Sequence, residues 1–256
     1  MTRADAEASI QDPTLFGAMM VHRGDADALV AGIDHHYPDA LRPALQVIGS
    51  AGARAHAVHM MVVKDHVYFL ADTTVNIEPT AEELAEIAVS TADMARRFHI
   101  QPRLAILSFS NFGSVRHPFA DKTRRATELV KQRRPDLVVD GEMQVDTALT
   151  PELMQRLFPF SSLSESANGL IFPDLQSANI GYKLLQKLGG AEAIGPILTG
   201  MRRPVHILQH GCGVKEVVYL AAIATVDAQN AADLPPSASL GADRRQENEP
   251  APVTPR

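Results

Sequence analysis

Two short apolar runs, each followed by a helical stretch, lie within residues 168–218 and constrain the fold more than any other part of the sequence. The first run, GLIF, starts at residue 169, and the second, PVHIL, starts at residue 204. Glycine-rich breaks separate the strand patterns from the helical ones. A parallel α/β sheet binds its ligands where strands end and the following helices begin. We therefore expect an anion-binding site in this segment.

Strand and helix patterns alternate from residue 80 to residue 229, which favours a mainly parallel α/β sheet covered by helices on both faces. Thr80 and Glu83 form a capping-box pattern, after which apolar residues recur at helical spacing. Two β-rich runs, 57–63 and 67–71, flank a polar break and predict a hairpin. The remaining predictions are a strand, a turn and a short helix in 13–32, strands at 104–109, 137–139 and 204–208, and helices at 41–48, 121–133, 177–188 and 214–227.

Composition excludes several classes of protein. The formal net charge of -6 argues against a nucleic-acid-binding surface, which usually needs a basic stripe. The sequence has neither an apolar run of membrane-spanning length nor the apolar core of a signal peptide. A single cysteine, Cys212, cannot form an internal disulfide and fits a reducing compartment. We expect a cytoplasmic protein that binds neither nucleic acid nor membrane.

Gly211, Cys212 and Gly213 stand between a predicted strand and a predicted helix. Glycines there allow a tight turn, and the free N–H groups at the start of a helix can bind an anion. A simple strand-to-helix turn explains the motif equally well. The spacing does not match a Rossmann or P-loop fingerprint. Cys212 would be a nucleophile only if its pKa were lowered, and we favour a small buried residue.

Several polar residues could serve either function or structure. Basic residues cluster in this segment and could attract phosphate, although some of them must simply form a solvated surface: Lys183, Lys187, Arg202, Arg203 and Lys215. The apolar, glycine-punctuated stretch 193–200 could line a ligand groove. Carboxylates at predicted strand ends could be catalytic or could cap helices: Asp140, Glu142 and Asp174. The histidines lack metal-ligand spacing, so we expect no metal site.

The chain resembles the phosphate acetyl/butyryltransferase family in the stretches RRPDLVVDGEMQVDTA, FPDLQSANIGYKLLQKLGGAEAIGPIL and RPVHILQHGCGVKEVV. The resemblance runs from about residue 13 to residue 229. It is closest to the phosphotransacetylase-like C-terminal domain of bacterial NADP-dependent malic enzymes, as in DPTLFGAMMVHRGDADALVAG and SFSNFGSVRHP. The resemblance implies a phosphotransacetylase-like fold of isocitrate/isopropylmalate dehydrogenase-like architecture. Two α/β domains would enclose a coenzyme A cleft, in a homodimer or a higher homo-oligomer.

The family comparison also predicts how the chain is divided. We expect a flexible leader (1–12), a partial first α/β domain (13–70), a second α/β domain (71–205), a strand and helix that return to the first domain (206–230) and a disordered tail (231–256). The family has a further α/β segment ahead of the shared region, so the N-terminal part of the first domain is expected to be missing. A malic-enzyme catalytic domain is a possible partner, since the chain has no malate or NADP site.

The family's site residues map onto positions of this chain one at a time. The resemblance places a catalytic aspartate at Glu216 and a serine–arginine pair at Gln209 and His210. It places one phosphate-binding arginine at Lys187 and keeps another as Arg42. Gly211, Cys212, Gly213, Gly195 and Pro196 would supply further contacts to the acyl-CoA ligand.

Two functional hypotheses follow from this mapping. Lysine cannot hold phosphate in a bidentate fork, and displacing a reacting group by about 1 Å can cost on the order of a hundredfold in rate. The first hypothesis is therefore an acetyl-CoA-binding regulatory and oligomerisation domain of malic-enzyme type, without transferase activity. The alternative is an active phosphate acetyl/butyryltransferase that moves an acyl group between coenzyme A and phosphate.

Overall fold

The structure, a computed structural model, describes residues 2–52 and 54–232. In chain order the elements are α1 (Arg3–Ser9), α2 (Pro13–Arg23), β1 (Leu29–Ala31), α3 (Tyr37–Val47), β2 (His56–Val63), β3 (His66–Ala71), α4 (Ala81–Arg97), β4 (Arg103–Leu107), α5 (Pro118–Arg133), β5 (Val138–Met143), α6 (Val145–Leu149), α7 (Pro151–Leu157), β6 (Gly169–Ile171), α8 (Leu175–Lys187), β7 (Glu192–Thr199), β8 (Val205–Ile207) and α9 (Val214–Ala232). The strands of this part of the chain form two sheets.

The larger sheet has six strands in the order β5-β4-β6-β3-β2-β7. The four strands from β5 to β3 are parallel, whereas β2 pairs antiparallel with both β3 and β7. The predicted mainly parallel sheet is confirmed. The predicted hairpin is confirmed as β2 and β3, which pair from Val58 with Ala71 to Val63 with His66.

Both faces of the larger sheet are covered by helices. In β4, Leu104 and Ile106 pack into a cluster with α4 and α5, whereas Ala105 and Leu107 pack into a second cluster with α6, α7 and α8. All four side chains are buried. Burying a leucine or isoleucine side chain contributes about 2 kcal/mol, so this alternation fixes which face of the strand each residue occupies.

Helix α4 shows how local sequence sets the boundaries of an element. The Thr80 side chain accepts from the Glu83 N–H at 3.2 Å, and the Glu83 carboxylate accepts from the Thr80 N–H at 2.8 Å. The predicted capping box is therefore confirmed. Arg96 and Arg97 lie in the last turn, where positive charge is favourable. The buried face of α4 consists of Leu84, Ala85, Ile87, Ala88, Thr91, Ala92, Met94 and Ala95.

The smaller sheet pairs β1 with β8 in parallel, from Leu29 with Val205 to Ala31 with Ile207. Helices α2 and α3 pack against it through Ala18, Val21, Ala40, Leu41 and Ala44. The two hairpin strands belong to the larger sheet, although all of β2 and all but the last residue of β3 fall within the predicted first domain, 13–70. The division into two domains remains a prediction.

Three parts of the chain differ from the sequence-based expectation. Residues 13–32 form a helix followed by a strand, the reverse of the predicted order, because Asp12 caps a helix whose first residue is Pro13. The expected leader, 1–12, contains α1, which also has a capping box and no buried residue. Residues 193–200 lie mostly in β7, a strand that the sequence did not predict, because their backbone groups pair with β2. Most of the expected tail, 233–256, lies outside the described residues.

Candidate active site

The starts of α3 and α9 meet at one edge of the smaller sheet. Because β1 and β8 are parallel, the chain leaves both strands at the same edge, and the Leu208 N–H donates to the Ala31 carbonyl at 2.7 Å. His36 precedes α3 and His210 precedes α9, and their ring centroids are 6.1 Å apart. His210 therefore lies near a residue of the β1–α3 connection, for which the sequence predicted no role.

Gln209 is held by a series of buried side chains that are connected by contacts and hydrogen bonds and that lie on and beside the larger sheet. Its Nε2 donates to the hydroxyl of Tyr182 on α8 at 3.2 Å. Tyr182 stacks on His59 of β2, and His59 Nδ1 lies 2.7 Å from the Thr73 hydroxyl oxygen. Tyr182, His59 and Thr73 are all buried. Helix α8, strand β2 and the segment after β3 therefore act together to position the amide of Gln209.

Gly195 and Pro196 lie next to these buried side chains. Gly195 has φ +138°, and a Cβ added there would lie 3.0 Å from the Val58 carbonyl oxygen and 3.2 Å from His59 Cδ2. Only glycine can bring the β7 backbone so close to His59. Pro196 follows in the same strand and is buried. Gly195 and Gln209, which are distant in sequence, thus belong to one cluster around His59 and Tyr182.

Glu216 lies in the first turn of α9. Its carboxylate accepts from the Gly213 N–H at 3.0 Å, so it satisfies a donor at the start of the helix. Burial, followed by the negative charge of Glu216, raises the pKa of the Cys212 thiol. Cys212 is therefore protonated at neutral pH, and the structure does not favour it as a nucleophile. Gly211, the glycine that turns the chain, has φ +79° and is exposed.

Lys187 and Arg42 are not gathered into this cluster. Lys187 is exposed in the last turn of α8. Arg42 approaches Asp39 at 3.5 Å, and both side chains are more than half exposed, so the pair contributes little stability. Within the described residues, neither cation forms an ion pair or hydrogen bond with Gln209 or Glu216. Both cations remain available to an incoming anion.

Sequence reasoning missed His59 and Tyr182. Burial, followed by the positive charge of Lys183, lowers the pKa of His59 to about 3, so its imidazole is neutral at neutral pH. A histidine inside the apolar run AVHMM is the signal that could have identified it, because a buried imidazole needs a polar partner. Tyr182 belongs to the motif NIGYK, which the resemblance included without singling out the tyrosine.

A second buried polar group lies at the start of α3. The hydroxyl of Tyr37 is buried and has no hydrogen-bond partner among the described residues. Burial, followed by the charge of Asp72, raises the Tyr37 pKa. Asp72 itself accepts from the backbone N–H groups of Ala57, Thr74, Val75 and Asn76 and from the Asn76 side chain. This network holds the segment after β3 in place.

The carboxylates predicted at strand ends have structural partners, although Asp140 and Glu142 lie within β5 and not after it. Asp140 pairs with Lys131 at 2.7 Å and also accepts from two serines, Ser161 and Ser162. Glu142 is fully buried and anchors the loop after β4 by accepting from Ser110, Gly113 and Arg124. Asp174 caps α8 by accepting from the Ser177 N–H. A structural role is sufficient for all three.

Residues 2–52 and 54–232 were also searched for metal-ligand clusters and membrane-spanning helices. No group of three or more histidines, cysteines or carboxylates is arranged to hold a metal ion in that part of the chain. The helices there include none that is both long and apolar enough to cross a membrane.

Comparison with known proteins identifies the family. The family model described as Phosphate acetyl/butaryl transferase matches residues 1–225. The chain belongs to this family. A family member, the phosphate acetyltransferase of Thermoanaerobacterium thermosaccharolyticum, is 45% identical over 238 residues, which cover 90% of this chain and 73% of that protein. The resemblance noted in the sequence is confirmed.

Other members and neighbours of the family agree in sequence and fold. The crystal structure of a phosphotransacetylase from Streptococcus pyogenes is 44% identical and superimposes with a TM-score of 0.86, over 90% of this chain and 71% of that one. The predicted phosphotransacetylase-like fold is confirmed. The NADP-dependent malic enzyme of Escherichia coli is 42% identical over 226 residues, which cover 87% of this chain but 30% of the enzyme.

Proposed function

We propose that this protein transfers an acyl group between coenzyme A and phosphate. The main support is the placement of Gln209, His210 and Glu216 together at the start of α9, in a chain whose family model matches residues 1–225. Relatives of 40–45% identity named phosphate acetyltransferase also support this activity over a purely regulatory role. Coenzyme A and acyl phosphate are the substrates in one direction, and acyl-CoA and phosphate are the products.

The proposed step assigns a role to each side chain. Glu216 accepts the thiol proton of coenzyme A, and the thiolate sulfur attacks the carbonyl carbon of the acyl phosphate. A carbon–sulfur bond forms while the carbon–oxygen bond to phosphate breaks, and phosphate leaves with the electron pair. Gln209 lies beside the reacting carbonyl and donates its amide N–H to the developing negative charge.

The phosphate is assigned to Lys187, Arg42 and a ring N–H of His210. Lys187 and Arg42 lie outside the cluster around Gln209, so they would meet the phosphate from its open side, and the partial positive charge at the start of α9 assists them. Helix α9 runs from Val214 to Ala232, which is long enough for an appreciable dipole. Glu216 uses one carboxylate oxygen to accept from Gly213, so its second oxygen is free to take the thiol proton.

The test is a transfer assay with acetyl phosphate and coenzyme A, in which thioester formation is measured on the purified full chain. Glu216→Gln removes the base and is expected to lower kcat by about a hundredfold or more. Glu128→Gln is the matched control, because Glu128 is an exposed carboxylate paired with Arg125 on α5. Equal rates in the two variants would contradict the role of Glu216.

The malic-enzyme likeness supports a second candidate, an acyl-CoA-binding regulatory domain. Gln209, His210, Lys187 and Glu216 all differ from the residues that the family resemblance leads us to expect. Lysine offers phosphate a single point charge instead of a fork. Calorimetric binding of acetyl-CoA by a protein without measurable turnover would favour this candidate. If the protein shows neither acetyl-CoA binding nor turnover, both candidate functions are contradicted.

Partners follow from the same proposal. We propose a homodimer or higher homo-oligomer and, for the regulatory candidate, association with a malic-enzyme catalytic domain. Light scattering on the purified chain measures the number of subunits directly. A monomer at all accessible concentrations would contradict self-association, and co-purification with a separately expressed malic-enzyme catalytic domain tests the proposed association with it.

A further inference from the structure

A cavity of about 650 Å³ lies at the carboxyl edge of the larger sheet, and no residue assigned to acyl transfer lines it. Its walls come from the ends of β4 and β6 and from the starts of α5 and α8. Volumes of roughly 300–1,000 Å³ are typical of small-molecule sites. The cavity is therefore large enough for a ligand of its own.

The topology of the sheet explains why a cavity forms there. Strands β4 and β6 are neighbours and parallel, but the chain leaves them towards opposite faces. Helix α5, after β4, packs on the face of α4, whereas α8, after β6, packs on the face of α6 and α7. The two connections diverge and leave a crevice. Such a switch point is where open α/β sheets bind ligands.

The walls of the cavity are unusually apolar for an exposed surface. Four apolar lining residues are about half exposed or more: Ile77 is 77% exposed, Phe109 51%, Phe119 58% and Val145 49%. Phe172 adds a third phenyl ring. A cluster of exposed apolar side chains around a concave surface marks a binding site. Phenyl rings pair well with another ring, edge to face or offset.

The polar groups of the cavity restrict the charge of the ligand. Lys122 Nζ donates to the Pro173 carbonyl at 2.9 Å, which leaves two of its three donors free. Asp174 uses its carboxylate to cap α8. Glu78 also lines the cavity and is exposed, so several negative charges on a ligand would be repelled. One anionic group can be held at Lys122.

We propose that this cavity binds a small aromatic molecule carrying one anionic group. Its ring packs against Phe109 and Phe119, and its anionic group lies at Lys122. Neither Gln209 nor Glu216 lines the cavity, so the proposal does not depend on acyl transfer. Coenzyme A does not fit this description, because its several phosphate charges would face Glu78.

Anilinonaphthalene sulfonate, an aromatic dye with one negative charge, is a suitable probe for titration into the full chain. We expect one bound dye per chain, and Phe119→Ala and Lys122→Met should each weaken binding by roughly tenfold or more. Phe16→Ala is the matched control, because Phe16 is a phenylalanine on α2 that is 53% exposed and does not line the cavity. The control should bind the dye like the wild type, and equal weakening in all three variants would overturn the proposal.

Competition experiments distinguish a separate ligand site from an extension of the acyl-transfer cleft and from a subunit interface. Benzoate should displace the dye better than benzyl alcohol, and Lys122→Met should remove that difference. Phe119→Ala should leave acyl transfer unchanged. Displacement of the dye by coenzyme A, together with loss of transfer in Phe119→Ala, would place the cavity within the acyl-transfer site and overturn a separate one. Light scattering follows self-association at the same protein concentrations. If dye binding disappears as the chains associate, the cavity is an interface between copies, and the proposal is overturned.

Discussion

Tyr182 stacks on His59 with the two ring centroids 4.1 Å apart and the ring planes inclined by 14°. Tyr182 lies on α8 and His59 on β2, so the stack joins a helix to the sheet that it covers. The same tyrosine accepts a hydrogen bond from Gln209, which follows β8 in the smaller sheet. A single aromatic residue therefore connects the larger sheet to the candidate catalytic loop.

The hydroxyl of Tyr182 is the part of this connection that a conservative substitution removes. Tyr182→Phe keeps the stack on His59 but leaves the Gln209 amide without its acceptor. If Gln209 acts on the reacting carbonyl, kcat for acyl transfer should fall by roughly three- to tenfold, the value of one hydrogen bond, while KM for coenzyme A stays the same. Tyr68→Phe, on β3, is the control. A loss confined to KM, or shared with the control, would contradict a positioning role.

His59 should make the protein sensitive to acid. Burial, followed by Lys183, lowers its pKa to about 3 in the folded protein, against about 6.5 for an exposed histidine. The unfolded chain therefore binds a proton that the folded protein does not, and the associated stability is full above pH 6.5 and lost as the pH falls towards 3. The loss by pH 5 is about 2 kcal/mol.

Denaturant unfolding of His59→Gln at pH 7.5 and pH 5 measures this effect. The variant should lose about 2 kcal/mol less of its unfolding free energy over that range than the wild type. His56, which is also buried with a lowered pKa, keeps part of the acid sensitivity. His66→Gln, at an exposed histidine, should retain the wild-type loss. The same pH dependence in both variants would show that His59 is not the responsible group.

The sequence predicted the larger sheet well because its signals are local. The capping box at Thr80 and the alternation of strands and helices depend on residues close together in the chain. The predicted order of α2 and β1 was wrong because Asp12 and Pro13 form a helix-start signal that the prediction did not use. Strand β7 was missed because Gly195 interrupts an otherwise apolar run, and its pairing with β2 bridges more than a hundred residues of sequence.

The candidate site could be predicted only in part, for a physical reason. Residues 209–216 are contiguous, and the family resemblance pointed to them directly. His59, Tyr182 and Thr73 reach Gln209 only because folding brings together a strand, a helix and the segment after β3. Nothing local in the sequence gives the distance between such residues. The separation of Lys187 and Arg42 from the cluster also depends on tertiary packing.

The capping box of α4 should contribute measurably to stability. Thr80→Ala removes the acceptor for the Glu83 N–H and should cost about 1 kcal/mol in unfolding free energy. Thr2→Ala removes the same interaction from α1, which buries no residue, so the cost there should stay within about 0.5 kcal/mol. Urea unfolding of both variants compares them directly. Equal costs would mean that packing of α4 does not amplify the effect of its cap.

At Gly195, a single added methyl group should disturb the packing of β7 against His59. Gly190→Ala is the matched control, because Gly190 also has a positive φ of +67° but no atom within 4 Å of an added Cβ. The control should cost about 1 kcal/mol, the strain of a left-handed alanine. Gly195→Ala adds a contact of 3.0 Å with the Val58 carbonyl and should cost about 3 kcal/mol in all.

Because the added methyl group also lies 3.2 Å from His59 Cδ2, Gly195→Ala should shift the imidazole and weaken its stack on Tyr182. Urea unfolding gives the stability of both variants, and near-ultraviolet circular dichroism reports the surroundings of the tyrosine ring. The Gly195 variant should change both signals, whereas the Gly190 variant should change only stability. The contrary outcome is that the two variants lose the same unfolding free energy and leave the spectrum unchanged. In that case β7 can move away from His59 at little cost, and the position of Gln209 does not depend on the close packing of Gly195 against His59.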